Sequence, residues 1–375
     1  MSGPGAWPSL LRRLRWRVRG IRMRLRERSP MTLLKYAEVA LLGRRASTWC
    51  YNFPSHVLVE LTTRCNLRCV WCNQADDDWR ERHGDREFDY EAFLRLLPQL
   101  KGAKVIQLYN IGEPLMYPRI FDAIAEARKV IPHVRITTNG TLLTEEKSRQ
   151  LAQAGLTQLN VSIDGTDPET FKRVRGIPLE KVERNLDAFC RLTRIPVQLW
   201  TVISEANLDS LERLPDYATR WPNARHLHFQ MVNGFALTDR AGTPWVSSAE
   251  RFERFRERVL ARCNELGIES NISHLNYYPP GTLERRRDGT CRALFTEQVA
   301  INHAGAITPC CGFSSFSLDE VLSKGFRAAW NGPSVRAWRR RMLDRDYGPY
   351  CENWCGFKKV RDADGLDAPV EAGGG

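Results

Sequence analysis

Three cysteines, Cys65, Cys69 and Cys72, stand four and then three positions apart, a spacing that lets one short loop wrap thiolates around a compact metal centre. Four cysteines ordinarily ligate a 4Fe-4S cluster, so three leave one iron open to chelate a small molecule through an amine and a carboxylate. The competing chemistry is a zinc site in which His83 supplies a fourth ligand. A second group lies in the last quarter of the chain: Cys291, then Gly305-x4-Cys310, then Cys351-x3-Cys355, with Cys311 beside Cys310. Gly305 permits a tight hairpin there, and a zinc ribbon is again the alternative. Cys50, Cys190 and Cys263 stand apart from both groups and read as small buried hydrophobes. Clustered thiols in a reducing compartment hold metal more often than they form disulfides.

The elements that must position these groups follow from periodicity. Short β-rich runs at 56–61, 104–109, 134–138, 158–163, 197–204 and 226–232 alternate with helical patterns at 90–100, 117–130, 144–154, 179–192 and 208–220. Such alternation implies a parallel sheet with right-handed crossovers, with the active site at the C-terminal ends of the strands. A further helix at 248–266 starts from a capping-box pattern of Ser247 and Glu250 and stops at Gly267. Beyond it, residues 270–357 are turn-rich, with one periodic run at 334–342, and would need a metal centre to hold them together.

Hydrophobic residues make up 42% of the 375 and charged residues 27%, ordinary for a globular protein. No apolar run approaches the roughly 18 residues of a membrane span, so a cytoplasmic protein is expected. The formal net charge of +12 is uneven: residues 1–30 hold nine arginines and one acid, Glu27. There Leu10, Leu14, Val18, Ile21 and Leu25 recur at helical spacing among the arginines. An amphipathic basic helix over 10–28 suits docking to an anionic membrane surface or to a partner. A second helical stretch follows Pro30 and stops at Gly43. The arginine runs 285–287 and 339–341 read as solvated faces more than as a nucleic-acid surface.

The C-x3-C-x2-C triplet on the first loop of a strand–helix repeat resembles the radical S-adenosylmethionine (SAM) superfamily. Four more stretches fit in the family's order. Gly112-Glu113-Pro114 resembles the motif that meets the methionine amine, Asn139 ends the third strand, Ser162 and Asp164 lie at the fourth, and Arg175 is a partner for the methionine carboxylate. Trp71 sits where the family places an aromatic residue against adenine. Ile111 stands in place of the first glycine of the usual pair. The later cysteines resemble the SPASM and twitch extensions, which carry auxiliary 4Fe-4S clusters; one such cluster is expected on Cys291, Cys310, Cys351 and Cys355.

The resemblance implies an α/β fold, a partial (β/α)6 TIM-like barrel, over 51–246. A basic helical extension precedes it (1–50), an auxiliary-cluster domain with its linker helix follows (247–360), and an acidic, glycine-rich tail ends the chain (361–375). It implies an enzyme that cleaves SAM reductively, with electrons from a flavodoxin or ferredoxin, and abstracts a hydrogen atom from substrate. The family's substrates include ribosomal peptides and small sugars. The N-terminal segment is shorter than a peptide-recognition domain of about 80 residues, which favours a carbohydrate-type metabolite, with a peptide as the alternative. A rival of another class is a metal protein that transfers electrons without cleaving SAM. Cys311 occupies a position where sulfatase-maturing relatives carry an acid. As a hydrogen donor it would make the enzyme an epimerase; without that role the substrate radical is oxidised.

Overall fold

Alternate residues of the β-rich runs differ in polarity, and in a computed structural model of the chain that alternation separates two faces of one sheet. The structure describes residues 30–232, 246–275, 295, 298–309 and 316–346. Strands β1 (His56–Val59), β2 (Val105–Gln107), β3 (His133–Thr138), β4 (Gln158–Ser162), β5 (Val197–Ile203) and β6 (Ala224–Met231) lie side by side in sequence order. Every neighbouring pair is parallel. On one face Val57, Ile106, Ile136, Leu159, Leu199 and Phe229 enter the main apolar core. On the other, Gln158 Nε2 donates to Asn160 (2.7 Å) and Gln198 (2.9 Å), and Asn160 Nδ2 donates to Thr137 (3.0 Å). Parallel sheets usually bury apolar residues on both faces; a polar face is the mark of a lined cavity.

Helix α1 (Pro30–Leu42) precedes the sheet, and the crossovers are α2 (Asp77–His83), α3 (Tyr90–Leu96), α4 (Ile120–Val130), α5 (Glu145–Gln153), α6 (Pro168–Arg175), α7 (Leu179–Leu192), α8 (Leu208–Leu211) and α9 (Leu214–Ala218). The pattern at 208–220 breaks into two pieces because Pro215, in the first turn of α9, has no N–H to continue the helix before it. Two short polar helices, α2 and α6, lie where no helix was expected. Each is set by an aspartate cap, Asp76 accepting from Trp79 N and Asp167 from Thr170 N. Helix α10 (Ala249–Leu266) is capped by Ser248, which accepts from Arg251 N, and not by Ser247, whose N–H donates to Glu205.

The sheet continues beyond six strands at both edges. Strand β7 (Glu269–Ser270) adds beside β6, and β8 (Gln298–Ile301) pairs parallel with β1. The hairpin of β8 with β9 (Ala306–Thr308) turns through Gly305 at φ +74°, as its glycine suggested. Strand β10 (Phe316–Ser317) follows, then α11 (Leu318–Lys324), α12 (Phe326–Trp330) and α13 (Pro333–Asp344). Apolar packing through Val321, Phe326, Trp330, Val335 and Met342 joins these helices to the main core, so the described part of this region does not depend on metal alone. The expected solvated run at 339–341 is corrected at its first member. Arg339 is fully buried, stacks over Trp330 (4.5 Å to the ring centroid) and donates to Thr48 O and Asn331. Burial pulls its pKa down to about 10. Arg285–Arg287, the basic helix over 10–28 and the tail 361–375 lie outside the described residues.

Candidate active site

At the C-terminal ends of the strands, a cavity of about 420 Å³ is lined by Cys65, Cys69 and Cys72 together with Trp71, Gly112, Glu113, Asn139, Ser162, Asp164 and Arg175. The structure therefore brings together the three cysteines and the residues expected to bind SAM, while His83 stays outside the lining. The cysteine loop is tied down by hydrogen bonds both within its own neighbourhood and to distant segments of the chain. Cys72 N donates to Cys69 O (3.0 Å), Val70 N to Val174 O (3.1 Å), and Gln74 Nε2 to Thr63 O (2.6 Å). Asn66 donates to Thr141 and accepts from Asn139 Nδ2, both at 2.8 Å.

Glu113 is buried and its carboxylate accepts three bonds, from Leu115 N, Thr138 Oγ1 and Asn139 N. Burial raises its pKa, and these bonds work against the rise. Gly112 packs so closely on the loop that a Cβ would stand 2.1 Å from Thr62 O, while Glu113 N donates to Arg64 O (2.7 Å). Arg175 ends α6 with Nη1 donating to Asp164 (2.9 Å). Burial opposes its charge, but Cys69 and Asp164 outweigh burial and hold the guanidinium firmly protonated. Its Nε finds no partner. Ser162 lines the cavity, and no hydrogen bond among the described residues engages its hydroxyl.

Burial pushes the Cys65 thiol up to about 12 and raises Cys69 and Cys72 as well. Three half-buried thiols in one loop suit a centre whose positive iron offsets the cost of forming thiolates. Among the described residues no three His, Cys, Asp or Glu side chains converge on a point that would hold a single metal ion. His83 is exposed and stacks on Trp79 (4.6 Å between centroids), away from the cavity lining. The donor set thus fits an iron–sulfur cube better than a Cys3His zinc site.

Trp71 lines the cavity as expected, whereas Tyr109, Trp200 and the valines Val174, Val202 and Val232 beside Trp71 are lining residues that sequence reasoning missed. Trp71 packs with Val174 and Val232, flanked by Val70 and Val202, in a small apolar cluster separate from the main core; its Nε1 is buried without a partner. That cluster forms a flat apolar cleft with an unused donor, a fit for a purine ring. On the polar face of the sheet, Trp200 stacks on His228 (4.2 Å) and meets Tyr109 edge-on, and Trp200 Nε1 is also unpaired. Burial raises Tyr109 to about 12 and lowers His228 to about 4. Glu60 is a further buried acid. It accepts from Asn110 Nδ2 (3.0 Å) and Ile111 N (3.3 Å) and pairs with His303 (2.9 Å), so the amide at the departed glycine position is spoken for. The period-two runs of polar residues at 158–162 and 226–230 were the available signal for a lined lumen.

Residues 59–218 match the radical SAM superfamily, and residues 291–356 match the SPASM iron-sulfur cluster-binding domain. The chain is 32% identical over 319 residues to the AdoMet-dependent heme synthase of Methanosarcina barkeri, covering 84% of this chain and 87% of that one. This chain belongs to the radical SAM superfamily. It is also 27% identical over 283 residues to the PqqA peptide cyclase of Streptomyces rochei, covering 74% and 75% of the two chains. Its fold is similar to that of Streptococcus suis SuiB bound to S-adenosylmethionine, with a TM-score of 0.60 at 19% identity over 76% of this chain and 68% of that one. The cofactors of this radical SAM protein are accordingly a 4Fe-4S cluster and SAM, with auxiliary iron–sulfur binding in the SPASM region. Cys291, Cys310, Cys311, Cys351 and Cys355 lie outside the described residues. Among the described residues no helix is long and apolar enough to cross a membrane.

Proposed function

We propose that this radical SAM enzyme modifies a peptide, removing a hydrogen atom from a side chain seated on the aromatic floor of the cavity. The observation that carries this reading is the match to PqqA peptide cyclases along about three quarters of both chains. The carbohydrate-type substrate expected from sequence gives way to its alternative on that ground. Cys65, Cys69 and Cys72 hold the cluster. Trp71 and the valines beside it take the adenine, Gly112 and Glu113 the methionine amine, and the free edge of Arg175 the methionine carboxylate. Asn139 fixes the cysteine loop through Asn66, and Ser162 offers a hydroxyl to the bound nucleoside. Once bound, the cluster and SAM supply a 5′-deoxyadenosyl radical.

The remaining residues orient substrate and exclude water. Trp200 and Tyr109 give a planar apolar surface with one unpaired indole N–H, and His228 stays neutral beneath it at neutral pH. Hydrogen abstraction would give one hydrogen atom to 5′-deoxyadenosine, and bond formation within the peptide would then release one proton and pass one electron to the auxiliary iron–sulfur centre, leaving a product two hydrogens lighter; this oxidative outcome is preferred to epimerisation. A flavodoxin or ferredoxin delivers the electrons, and one auxiliary cluster resides on Cys291, Cys310, Cys351 and Cys355. A second reading, a tetrapyrrole substrate, is favoured by the 32% identity to a heme synthase. Anaerobic incubation with SAM and dithionite tests both. A peptide encoded beside the gene should lose two hydrogens with one 5′-deoxyadenosine per turnover. Conversion of a tetrapyrrole with the peptide unchanged would establish the second reading, and absence of 5′-deoxyadenosine under all conditions would leave a non-catalytic iron–sulfur protein.

A further inference from the structure

Helix α1 is inside out. Its buried positions are Thr32, Lys35 and Val39, and Lys35 is fully buried, donating to Glu38 (3.0 Å) and Ser47 O (2.6 Å). Its outward positions 33, 34, 37, 40 and 41 are Leu, Leu, Ala, Ala and Leu. A helix on a water-facing surface normally presents the opposite arrangement. Every large hydrophobic side chain that stands exposed among the described residues belongs to this helix or the turn after it: Met31, Leu33, Leu34, Leu41 at 83% exposure, Leu42 and Trp49. Such a contiguous patch marks an interaction surface.

The charges beside the patch are mostly basic, with Asp344 of α13 paired to one of them, Arg340 (3.8 Å). Arg44 and Arg45 are exposed where α1 ends, and Arg336 of α13 stands over the Trp49 ring (5.9 Å). Arg340 donates to Arg44 O (2.7 Å), bringing a further cation to the same edge. The one acid within 30–49 is Glu38, and it is turned inward, accepting from Lys35, Ser47 N and Tyr51. Immediately upstream, residues 1–30 hold nine arginines against Glu27 with leucines at helical spacing, the same chemistry continued in sequence.

We infer that the outer face of α1, with Arg44 and Arg45 at its rim, is a docking surface for an anionic phospholipid bilayer. Leucines and a tryptophan enter the headgroup boundary while arginines meet lipid phosphates. At 13 residues the helix is about 20 Å long, so it lies along the bilayer plane. The arrangement would hold the chain at a membrane face without a spanning segment.

The test is co-sedimentation of the full chain, under anaerobic conditions, with vesicles of phosphatidylglycerol and phosphatidylcholine in equal parts or of phosphatidylcholine alone. Wild type should pellet with the anionic vesicles and stay in solution with the neutral ones. Leu34→Gln/Leu41→Gln should weaken anionic binding by about tenfold or more, and Arg44→Glu/Arg45→Glu likewise. Because these side chains are exposed, both variants should keep the wild-type melting temperature and SAM cleavage. Vesicle binding that ignores the leucine substitutions, or no binding by wild type, overturns the inference. A concentration-dependent dimer in solution that those substitutions dissolve, without vesicle binding, assigns the face to a second copy instead.

Discussion

The ring of Tyr109 meets that of Trp200 edge-on at 5.7 Å between centroids, although β3 and β4 separate their strands in the sheet. The sheet therefore curls until opposite strands touch through their side chains, and the contact floors the cavity. Trp200→Ala should still produce 5′-deoxyadenosine, but with product formed per 5′-deoxyadenosine reduced about tenfold, because about 1.4 kcal/mol of lost positioning suffices for that. Trp200→Phe should restore most of the coupling. Chromatographic quantification of both products checks the ratio.

Asn139 joins the third strand to the cysteine loop by donating to Asn66 and accepting from Thr141. Asn139→Ala removes the acceptor of buried Thr141, at about 1–3 kcal/mol, and cuts the tie to Asn66 in the cysteine loop. The expected result is iron released to a chelator roughly tenfold faster, followed at the cluster's visible absorbance. An unchanged release rate would show that the loop is held elsewhere.

Reconstituted wild type should carry roughly eight irons if two 4Fe-4S centres exist, and a triple alanine variant at Cys65, Cys69 and Cys72 roughly four. Elemental analysis separates this from zinc at the second site.

His228 sets a pH dependence of stability. Burial, reinforced by His226, lowers its pKa from 6.5 to about 4, so the unfolded chain takes up a proton that the folded one refuses. Its contribution is complete above about pH 6.5 and is lost as pH falls toward 4, on the order of 3 kcal/mol in all. Urea unfolding across that window should show a steeper acid decline in wild type than in His228→Gln.

Cys311 discriminates between two endings of the same radical step. As a hydrogen donor it would place one solvent deuterium in the product in deuterated water, and Cys311→Ala would form 5′-deoxyadenosine without inverting substrate. The oxidative ending proposed above predicts no deuterium and a product two hydrogens lighter, with Cys311→Ala still competent.

The barrel and its cysteine loop were legible because both are local. Six apolar runs lie in sequence order, and Cys65, Cys69 and Cys72 are eight residues from end to end. The Ser247 cap was displaced by one residue because adjacent serines offer the same hydroxyl, and only backbone geometry selects Ser248. Arg339 looked solvated since a run of arginines carries no sign that Trp330 and Thr48, far apart in sequence, close over one of them. The outward turn of α1 was hidden for a related reason. Its apolar period is plain in the sequence, but which face the molecule covers is decided by Lys35 reaching Ser47.

Strand β1 is paired on one side by β2, about 50 residues later, and on the other by β8, about 240 residues later. During synthesis, the strand that leads into the cysteine loop thus carries a bare row of amides and carbonyls until nearly four fifths of the chain has emerged. An open edge of that kind is a template for pairing with another chain. A truncation before residue 298 should aggregate through β1 even with the whole six-stranded unit present, and the order of assembly would place completion of the barrel after the auxiliary segment has begun to fold.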